Sequence, residues 1–188
     1  MRVIAGSARG LMLKRPRSGV TRPTSGRLRE ALFAMLESAG VDFERVLDLY
    51  AGSGALGIEA LSRGAGSATF VEADARAAAV IRENVVHVKC AGRGEVIVGR
   101  VGKWRPSADA RYTLVLADPP YDDPAPWGAI ESAVEGALAE HAVIVVEHDA
   151  RTAPPDTLAG RMLWRDRRQG AGAVAIYRTS VDDEDGDE

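Results

Sequence analysis

The sequence has little of what secreted, membrane-spanning and metal-binding proteins need. Its 188 residues include a single cysteine, Cys90, which excludes an intramolecular disulfide. No apolar run approaches the roughly 18 residues that cross a bilayer, and the N-terminal segment has no apolar stretch of signal-peptide length. The three histidines, His87, His141 and His148, lack the spacing of a zinc site. We therefore expect a cytoplasmic protein without a metal or a membrane anchor, and we take it to be a monomer.

Acidic residues are missing from the start of the chain and concentrated at its end. Residues 1–29 carry eight Lys or Arg and no Asp or Glu, whereas the final "DDEDGDE" holds six acids. Removing those six acids changes the formal net charge from -3 to +3. A basic N-terminal segment is typical of nucleic-acid contact, with a solvated, charge-rich hairpin as the alternative. We expect the acidic tail, residues 181–188, to be disordered.

Hydrophobic periodicity divides the chain into a short N-terminal unit and an alternating region. Residues 1–20 predict a β-hairpin, and "TRPTSGRLREALFAMLES" predicts a helix capped by Thr24 or Ser25, with Leu28, Leu32, Met35 and Leu36 on one face. Strands are then predicted at "RVLDLY", "SATFVEA", "GEVIVG", "YTLVLA" and "AVIVVEH". Helices are predicted at "LGIEALSRG", from Asp74 or Ala75 to Lys89, and near 127–139. The segment "GRMLWRDRRQGAGAVAIYR" predicts two antiparallel strands.

Alternating strands and helices predict an α/β fold, a Rossmann-like, mostly parallel sheet with helices on both faces. Right-handed crossovers send the first three strands outward and return the fourth beside the first. The crevice between strands one and four is then the switch point where ligands bind. We divide the chain into residues 1–40, a basic RNA-binding hairpin and helix, residues 41–180, the catalytic domain, and the tail.

A glycine loop follows the first strand in "DLYAGSGALGIEA". Gly52, Gly54 and Gly57 match G-x-G-x-x-G, a pattern that nicotinamide enzymes share. Asp48 within the strand would repel a pyrophosphate but suits a cofactor with sulfonium and ammonium groups. Glu72, at the end of the second strand, is placed to accept hydrogen bonds from a ribose diol. The two acids together favour S-adenosylmethionine.

Other cofactor contacts are expected around the same loop and after the third strand. Tyr50 and Ser53 lie within the glycine loop, whose amides near the helix start can hold a carboxylate. Many enzymes of this kind have an Asp after the third strand, but here Arg100 and Val101 stand there. We therefore expect backbone groups to contact the adenine.

The stretch "LADPPYDDP" follows the fourth strand at the same crevice. Asp118 offers a carboxylate and Pro119 a carbonyl, two acceptors that can aim the lone pair of an exocyclic amine. Pro119 and Pro120 restrict the backbone, and Tyr121 offers a face on which a base can stack. This pattern predicts methylation of an amine on a nucleobase that has been flipped out of its stack.

Together, "RVIAGSARG", "TRPTSGRLREALFAML", "DLYAGSGALGIEALSRGA" and "LADPPY" resemble the RsmD-type ribosomal RNA small subunit methyltransferases. The resemblance covers nearly the whole chain apart from the acidic tail, and the N-terminal pattern is its most specific part. It implies a class I S-adenosylmethionine-dependent methyltransferase fold and N2-methylation of one guanine of 16S rRNA, guanine 966 in the family. It also implies a small subunit or an assembly intermediate as the substrate.

The resemblance assigns roles by position. It implies that Asp118 and Pro119 hold the amine and that Tyr121 stacks on the base. It implies cofactor contacts from Asp48, Gly52, Gly54 and Glu72, whereas Arg100 departs from the family's acidic pattern. Candidate substrate-binding residues are Arg22, Thr24, Arg27 and Arg29, to which the basic segment adds Arg2, Arg9 and Arg15. We also expect deletion of residues 1–20 to weaken RNA binding while leaving cofactor affinity nearly unchanged.

Four alternatives stay open. A DNA adenine-N6 methyltransferase shares Asp-Pro-Pro-Tyr, but this chain has little room for a target-recognition domain. Protein-glutamine methyltransferases favour Asn at position 118. A nicotinamide-dependent oxidoreductase has no use for Asp48 or Asp118, and an RNA-binding module without catalysis would not need both loops.

Overall fold

The structure is a computed structural model that describes residues 1–16, 26–120, 123–169 and 172–179. Several residues predicted from the sequence lie outside these ranges. They are Arg22, Thr24 and Ser25 near the first helix, Tyr121 in the loop after the fourth strand, and the acidic tail at 181–188.

The described residues form an eight-stranded mixed sheet with the order β3-β2-β1-β4-β5-β8-β7-β6. Strands β3, β2, β1, β4 and β5 are parallel, and β8, β7 and β6 continue the sheet in antiparallel pairing. The predicted return of the fourth strand to the side of the first is confirmed. The bounds are β1 Arg45–Leu49, β2 Ser67–Glu72, β3 Gly94–Val98, β4 Tyr112–Ala117, β5 Leu138–Asp149, β6 Thr157–Leu158, β7 Arg161–Gln169 and β8 Gly172–Arg178.

Helices cover both faces of the sheet because the side chains of each strand alternate. In β1, Val46 points to one face and Leu47 and Leu49 to the other. The first face, here called the hairpin face, carries the N-terminal hairpin with α1 Gly26–Ser38, α2 Ala55–Ser62 and α3 Ala75–His87. The second, here called the α4 face, carries α4 Pro126–Val134. The expectation of helices on both faces is confirmed.

The N-terminal hairpin is shorter than predicted in its regular part. It has one antiparallel bridge, between Arg2 and Met12, and is held by backbone bonds such as Val3 N–H to Leu11 O at 3.0 Å. In α1, Leu28, Leu32 and Leu36 are buried as predicted.

The fourth helix ends earlier than its predicted limit near 139. It stops at Val134, and Gly136 takes a left-handed conformation with φ 69°, which reverses the chain. Residues 138–140 then extend β5, because Tyr112 of β4 pairs with Leu138. No helix in the described ranges is long and apolar enough to cross a bilayer.

Candidate active site at the crevice between β1 and β4

The glycine loop after β1 is held in unusual backbone conformations. Tyr50, Gly52 and Gly54 all have positive φ, at 56°, 55° and 77°. For a tyrosine this left-handed region is strained, so the surrounding bonds must hold it. Ala51 N–H donates to Val71 O at 3.1 Å, and Gly54 N–H donates to Ala51 O at 2.7 Å. The loop is thus held against the end of β2, beside the crevice.

Gly57 serves packing rather than ligand approach. A Cβ built at this position would overlap the ring of Phe70 in β2. The absence of a side chain therefore lets α2 lie directly on the sheet. Of the three motif glycines, Gly52 and Gly54 allow the positive φ angles of the loop, and Gly57 allows α2 to pack closely on β2.

Asp48 does not reach the ligand side of the loop. Its side chain is 1% exposed, and its Oδ2 accepts the Gly57 N–H at 2.8 Å. Burial raises the pKa of Asp48 well above its usual value, and the nearby charges of Asp118 and Glu72 raise it further. The expected direct contact with a cofactor is therefore corrected: Asp48 positions the start of α2 from beneath the loop.

Glu72 lies at the edge of the crevice, as predicted. One carboxylate oxygen accepts Gly52 N–H at 2.8 Å and the other accepts Asp74 N–H at 2.8 Å. A carboxylate offers about four lone-pair positions, so both oxygens keep capacity for a further donor. Glu72 thereby ties the glycine loop to the start of α3 and can still accept hydrogen bonds from a diol.

Asp118 begins the loop after β4, directly beside the glycine loop. Its N–H points to Leu49 O, the last residue of β1, at 3.4 Å. Asp118 is half-buried, Pro119 is buried and Pro120 is exposed. The topology thus brings Asp118 and the glycine loop to one crevice, although about seventy residues separate them along the chain. Tyr121 lies outside the described residues.

A contact between Tyr50 and Asp123 links the two loops. The Tyr50 hydroxyl lies 3.4 Å from Asp123 Oδ2, and Asp123 also accepts Ala125 N–H at 3.0 Å. Burial, and then the charge of Asp123, raise the pKa of Tyr50, so its hydroxyl stays protonated and donates. No local pattern in the sequence relates Tyr50 to Asp123, because the two residues lie 73 positions apart.

Gly99 and Arg100, which follow β3, make the described contacts at this edge mainly through their backbone groups. Gly99 N–H donates to Glu72 O at 2.9 Å, and the carbonyl of Arg100 accepts the N–H groups of Lys103 and Trp104. The Arg100 side chain is exposed, whereas Val101 is 7% exposed and packs in the core of the α4 face. A side-chain contact from Val101 is therefore disfavoured, and the adenine contact stays a prediction about backbone groups.

The candidate RNA-binding arginines divide into exposed and buried positions. Arg2, Arg9, Arg15 and Arg27 are exposed. Arg29 is only 2% exposed, and the prediction that it binds RNA is wrong. It donates to Arg2 O at 2.6 Å and lies 3.8 Å from a Glu59 oxygen. Helical spacing from Phe33 and Leu36 could have revealed this, because positions 29, 33 and 36 share one buried face.

The N-terminal hairpin is bound to α2 by buried side chains that sequence reasoning missed. Glu59, 1% exposed, accepts the N–H groups of Ile4 and Ala5 at 2.8 and 3.0 Å. Ser62 accepts Ala8 N–H at 2.9 Å and donates to Ala5 O at 2.5 Å. Because α2 continues directly from the glycine loop, the hairpin is joined to the element that shapes that loop.

Asn84 of α3 makes the same connection by a second route. Its side chain is 1% exposed; it accepts Lys14 N–H at 2.8 Å and donates to Lys14 O and to Ser53 O, both at 3.0 Å. One amide therefore joins the end of the hairpin to the glycine loop. These contacts lead us to revise the expectation for deletion of residues 1–20, which should disturb cofactor binding as well as RNA binding.

The chain matches known proteins over nearly its full length. The family model described as "Conserved hypothetical protein 95" matches residues 1–178. The chain is 35% identical over 182 residues to "Putative rRNA methyltransferase YlbH" of Bacillus subtilis, covering 95% of this chain and 98% of that protein. It is 34% identical over 189 residues to "Ribosomal RNA small subunit methyltransferase D" of Escherichia coli, covering 98% and 92%.

A solved structure shares the fold. "Putative methyltransferase yhhF from Escherichia coli" superposes with a TM-score of 0.80 at 32% identity, covering 96% of this chain and 98% of that one. The fold is thus that of the class I methyltransferases.

Proposed function

The chain belongs to the family described as "Conserved hypothetical protein 95", the RsmD family, and from this premise we propose that it is an S-adenosylmethionine-dependent methyltransferase of ribosomal RNA. The finer proposal is that it methylates the exocyclic N2 of one guanine in 16S rRNA. The observation that carries it is the placement of Asp118 and Pro119 beside the glycine loop, at the carboxyl ends of neighbouring strands.

The charge of the crevice favours a cationic cofactor. Asp48, Glu72 and Asp118 lie close enough for the last two to raise the pKa of the first. The carboxylates of Glu72 and Asp118 at the crevice repel a pyrophosphate, which argues against a nicotinamide dinucleotide. S-adenosylmethionine, when bound, supplies a methyl group on a sulfonium, and this cation is stabilised by the surrounding negative charge.

The residues of the glycine loop and of β2 would hold that cofactor. Glu72 is tied to Gly52 N–H and keeps lone pairs for the ribose hydroxyls. Gly52 and Gly54 shape a loop without side chains between the ligand and the backbone. Ser53, whose carbonyl is held by Asn84, fixes the orientation of the loop before α2. The loop amides are suited to a carboxylate at this helix start.

Asp118 and Pro119 would prepare the nucleophile. The lone pair of a nucleobase amine is delocalised into the ring, so the amine is a weak nucleophile. An Asp118 carboxylate oxygen and the Pro119 carbonyl can accept its two N–H bonds and direct the lone pair toward the methyl group. A hydrogen bond to a charged group contributes roughly 1.5–3 kcal/mol. Much of the acceleration then comes from positioning, and the methylated amine loses its proton without a strong base.

The exposed basic residues of the hairpin support an RNA substrate. Arg2, Arg9 and Arg15 lie on the segment docked to α2, and Arg27 lies at the start of α1. Phosphate contacts from such residues can offset the few kcal/mol that unstacking the target base costs. We propose a small subunit or an assembly intermediate as the substrate. DNA adenine-N6 methylation is the alternative that the same catalytic loop permits.

The test identifies the methylated nucleoside. Purified protein with tritiated S-adenosylmethionine is offered small subunits lacking the modification, free 16S rRNA, and duplex DNA, and each product is digested. We expect labelled N2-methylguanosine from the subunits; labelled N6-methyladenine from DNA would overturn the proposed base. The same assay on Asp118→Ala should show a loss of methyl transfer of at least about 100-fold, with cofactor affinity within about threefold of wild type. Wild-type turnover in that variant would contradict the role of Asp118.

A further inference from the structure

A β-bulge in β7 changes which side chains of this strand lie on the hairpin face of the sheet, and it places an arginine there. The register shifts between Leu163 and Arg165, so Trp164 is the extra residue of β7 opposite β8. Leu163 pairs with Tyr177, which faces α4, whereas Arg165 pairs with Ile176, which faces the hairpin. Paired residues of antiparallel strands share a face. The bulge therefore moves Arg165 onto the hairpin face.

Two more arginines follow on that same face. Arg167 pairs with Val174, a residue of the hairpin-face core, and Arg178 follows Tyr177 and so points to the opposite side from it. Asp166 and Arg168 point to the α4 face, where Asp166 contacts His148 at 3.1 Å. The alternation thus separates the one acid of this segment from the three arginines. We call Arg165, Arg167 and Arg178, with Trp164, the outer-strand cluster.

Trp164 holds two of these arginines in a defined arrangement. The guanidinium carbon of Arg165 lies 4.4 Å from the Trp164 ring centroid, and that of Arg178 lies 4.3 Å from it. The indole itself is half-buried against the core of the hairpin face. A guanidinium that stacks on a ring keeps its N–H donors in the plane, directed outward. Stacking on Trp164 therefore orients the guanidinium N–H groups of Arg165 and Arg178 and leaves them able to donate hydrogen bonds to a ligand.

The cluster lacks internal counter-charges. Among the described residues, none of Arg165, Arg167 and Arg178 forms an ion pair or a hydrogen bond. Other arginines of the described chain, such as Arg63 and Arg151, are paired with carboxylates. Glu147 of β5 shares this face through its pairing with Val174, but it is 8% exposed and lies two strands from Arg167. Arg165, Arg167 and Arg178 form no ion pair among the described residues, and three such neighbouring cations favour an external polyanion.

The cluster lies level with the catalytic loop. Ala117, the last residue of β4, pairs with Val146, and the next residue of β5, Glu147, pairs with Val174, the partner of Arg167. Arg167 is therefore at the height of Asp118, three strands away, which is about 14 Å at the usual strand spacing. The hairpin packs on the same face through Val3 and Leu13. Two basic surfaces thus stand on one face of the sheet beside the crevice.

We propose that the outer-strand cluster is a second RNA-binding surface, at which Arg165, Arg167 and Arg178 bind backbone phosphates of the strand flanking the target base. The inference rests on the proposed function and adds to the hairpin a contact on the far side of the crevice. Planar guanidiniums suit phosphate because they can donate two parallel hydrogen bonds. The cluster would not read sequence, since phosphate contacts set position and orientation only.

The test measures RNA affinity against salt for the triple variant Arg165→Ala/Arg167→Ala/Arg178→Ala. Its matched control is Arg105→Ala/Arg111→Ala, two exposed arginines outside the cluster. Each phosphate contact contributes about 0.7 to the salt slope for single strands, so the triple variant should flatten the slope by about 2 and weaken binding about tenfold or more. The control should change the slope by less than about 0.7. Affinity for S-adenosylhomocysteine should stay at the wild-type value in both.

Further variants separate this proposal from the proposed function. Trp164→Leu keeps the three charges and removes the stack, so it should weaken RNA binding with an unchanged salt slope. In methylation assays the triple variant should raise KM and leave kcat nearly unchanged. An unchanged slope and KM in the triple variant would overturn the proposal even if the wild type makes N2-methylguanosine. A flattened slope with a different methylated base would uphold the surface and overturn the assigned base.

Discussion

The N-terminal hairpin and the loop after β4 both lie outside the sheet, but they are held in different ways. Backbone N–H groups of the hairpin donate hydrogen bonds to three buried side chains, Glu59, Ser62 and Asn84. The catalytic loop is shaped by its own prolines and turn bonds and by the long contact from Tyr50 to Asp123. The hairpin is therefore part of the folded domain, whereas the described contacts of the catalytic loop lie within the loop and at the end of β1 and the glycine loop.

This contrast also explains how a basic segment can influence the cofactor site. The contacts from Glu59 and Asn84 end on α2 and on Ser53, the elements that shape the glycine loop. The same buried hydrogen bonds thus connect the hairpin, where we propose that RNA binds, to the glycine loop, where we propose that the cofactor binds. Any coupling between them must be reciprocal in binding free energy.

The largest effect is expected at Glu59. Glu59→Ala leaves two backbone N–H groups and the charges of Arg29 and Arg63 without their buried partner. Removing one partner of a buried pair costs about 3–5 kcal/mol, which urea unfolding would measure. The control is Glu37→Ala, the exposed partner of Arg63, for which less than about 1 kcal/mol is expected. Equal losses in the two variants would mean that the hairpin is not held by Glu59.

Asn84→Ala should have the next largest effect. It removes three hydrogen bonds of one buried amide, and unpaired buried groups cost about 1–3 kcal/mol. Because one of these bonds ends on Ser53, affinity for S-adenosylhomocysteine should also fall, by about threefold to tenfold. Calorimetric titration in the folded variant measures this fall. Unchanged cofactor affinity with lowered stability would confine Asn84 to holding the hairpin.

Asp48→Asn tests the charge beneath the glycine loop. The raised pKa of Asp48 means that folding favours its protonated form, so wild-type stability is lost as pH rises from the ordinary value of 3.8 through the raised one. Asn keeps an acceptor for Gly57 N–H and stays neutral at all pH values. The variant should therefore lose less thermal stability than wild type as pH rises. Parallel melting curves across pH would contradict the burial of an ionisable Asp48.

The smallest effect is expected where the two loops meet. Tyr50→Phe removes only the 3.4 Å contact to Asp123, so kcat should fall by about twofold to fivefold. Asp123→Asn keeps the acceptor for Ala125 N–H and should cause a similar fall. The double variant should be no worse than either single one, because both remove the same contact. Additive losses would show that the two residues act separately.

Much of the fold could be predicted because its signals are local. Apolar runs such as "TLVLA" and the helical spacing of Leu28, Leu32 and Leu36 each lie within a few residues. The right-handed crossover rule then orders the parallel strands and brings the ends of β1 and β4 together. The sequence alone thus determined the order of the first four strands, the crevice between β1 and β4, and the placement of Asp118 and Glu72 at its edge, but not the places of the remaining strands.

Only the tertiary structure decided which polar side chains are structural. Arg29 looks like one more base in a basic segment, yet it is buried beside Glu59. Ile4 bonds to Glu59, Ser53 to Asn84 and Asp123 to Tyr50 across 55, 31 and 73 positions of the chain. Such pairs produce no periodic pattern in the sequence. They arise where packed elements exclude water and every buried donor needs an acceptor. That requirement is met by the three-dimensional arrangement of the elements, which no single segment specifies.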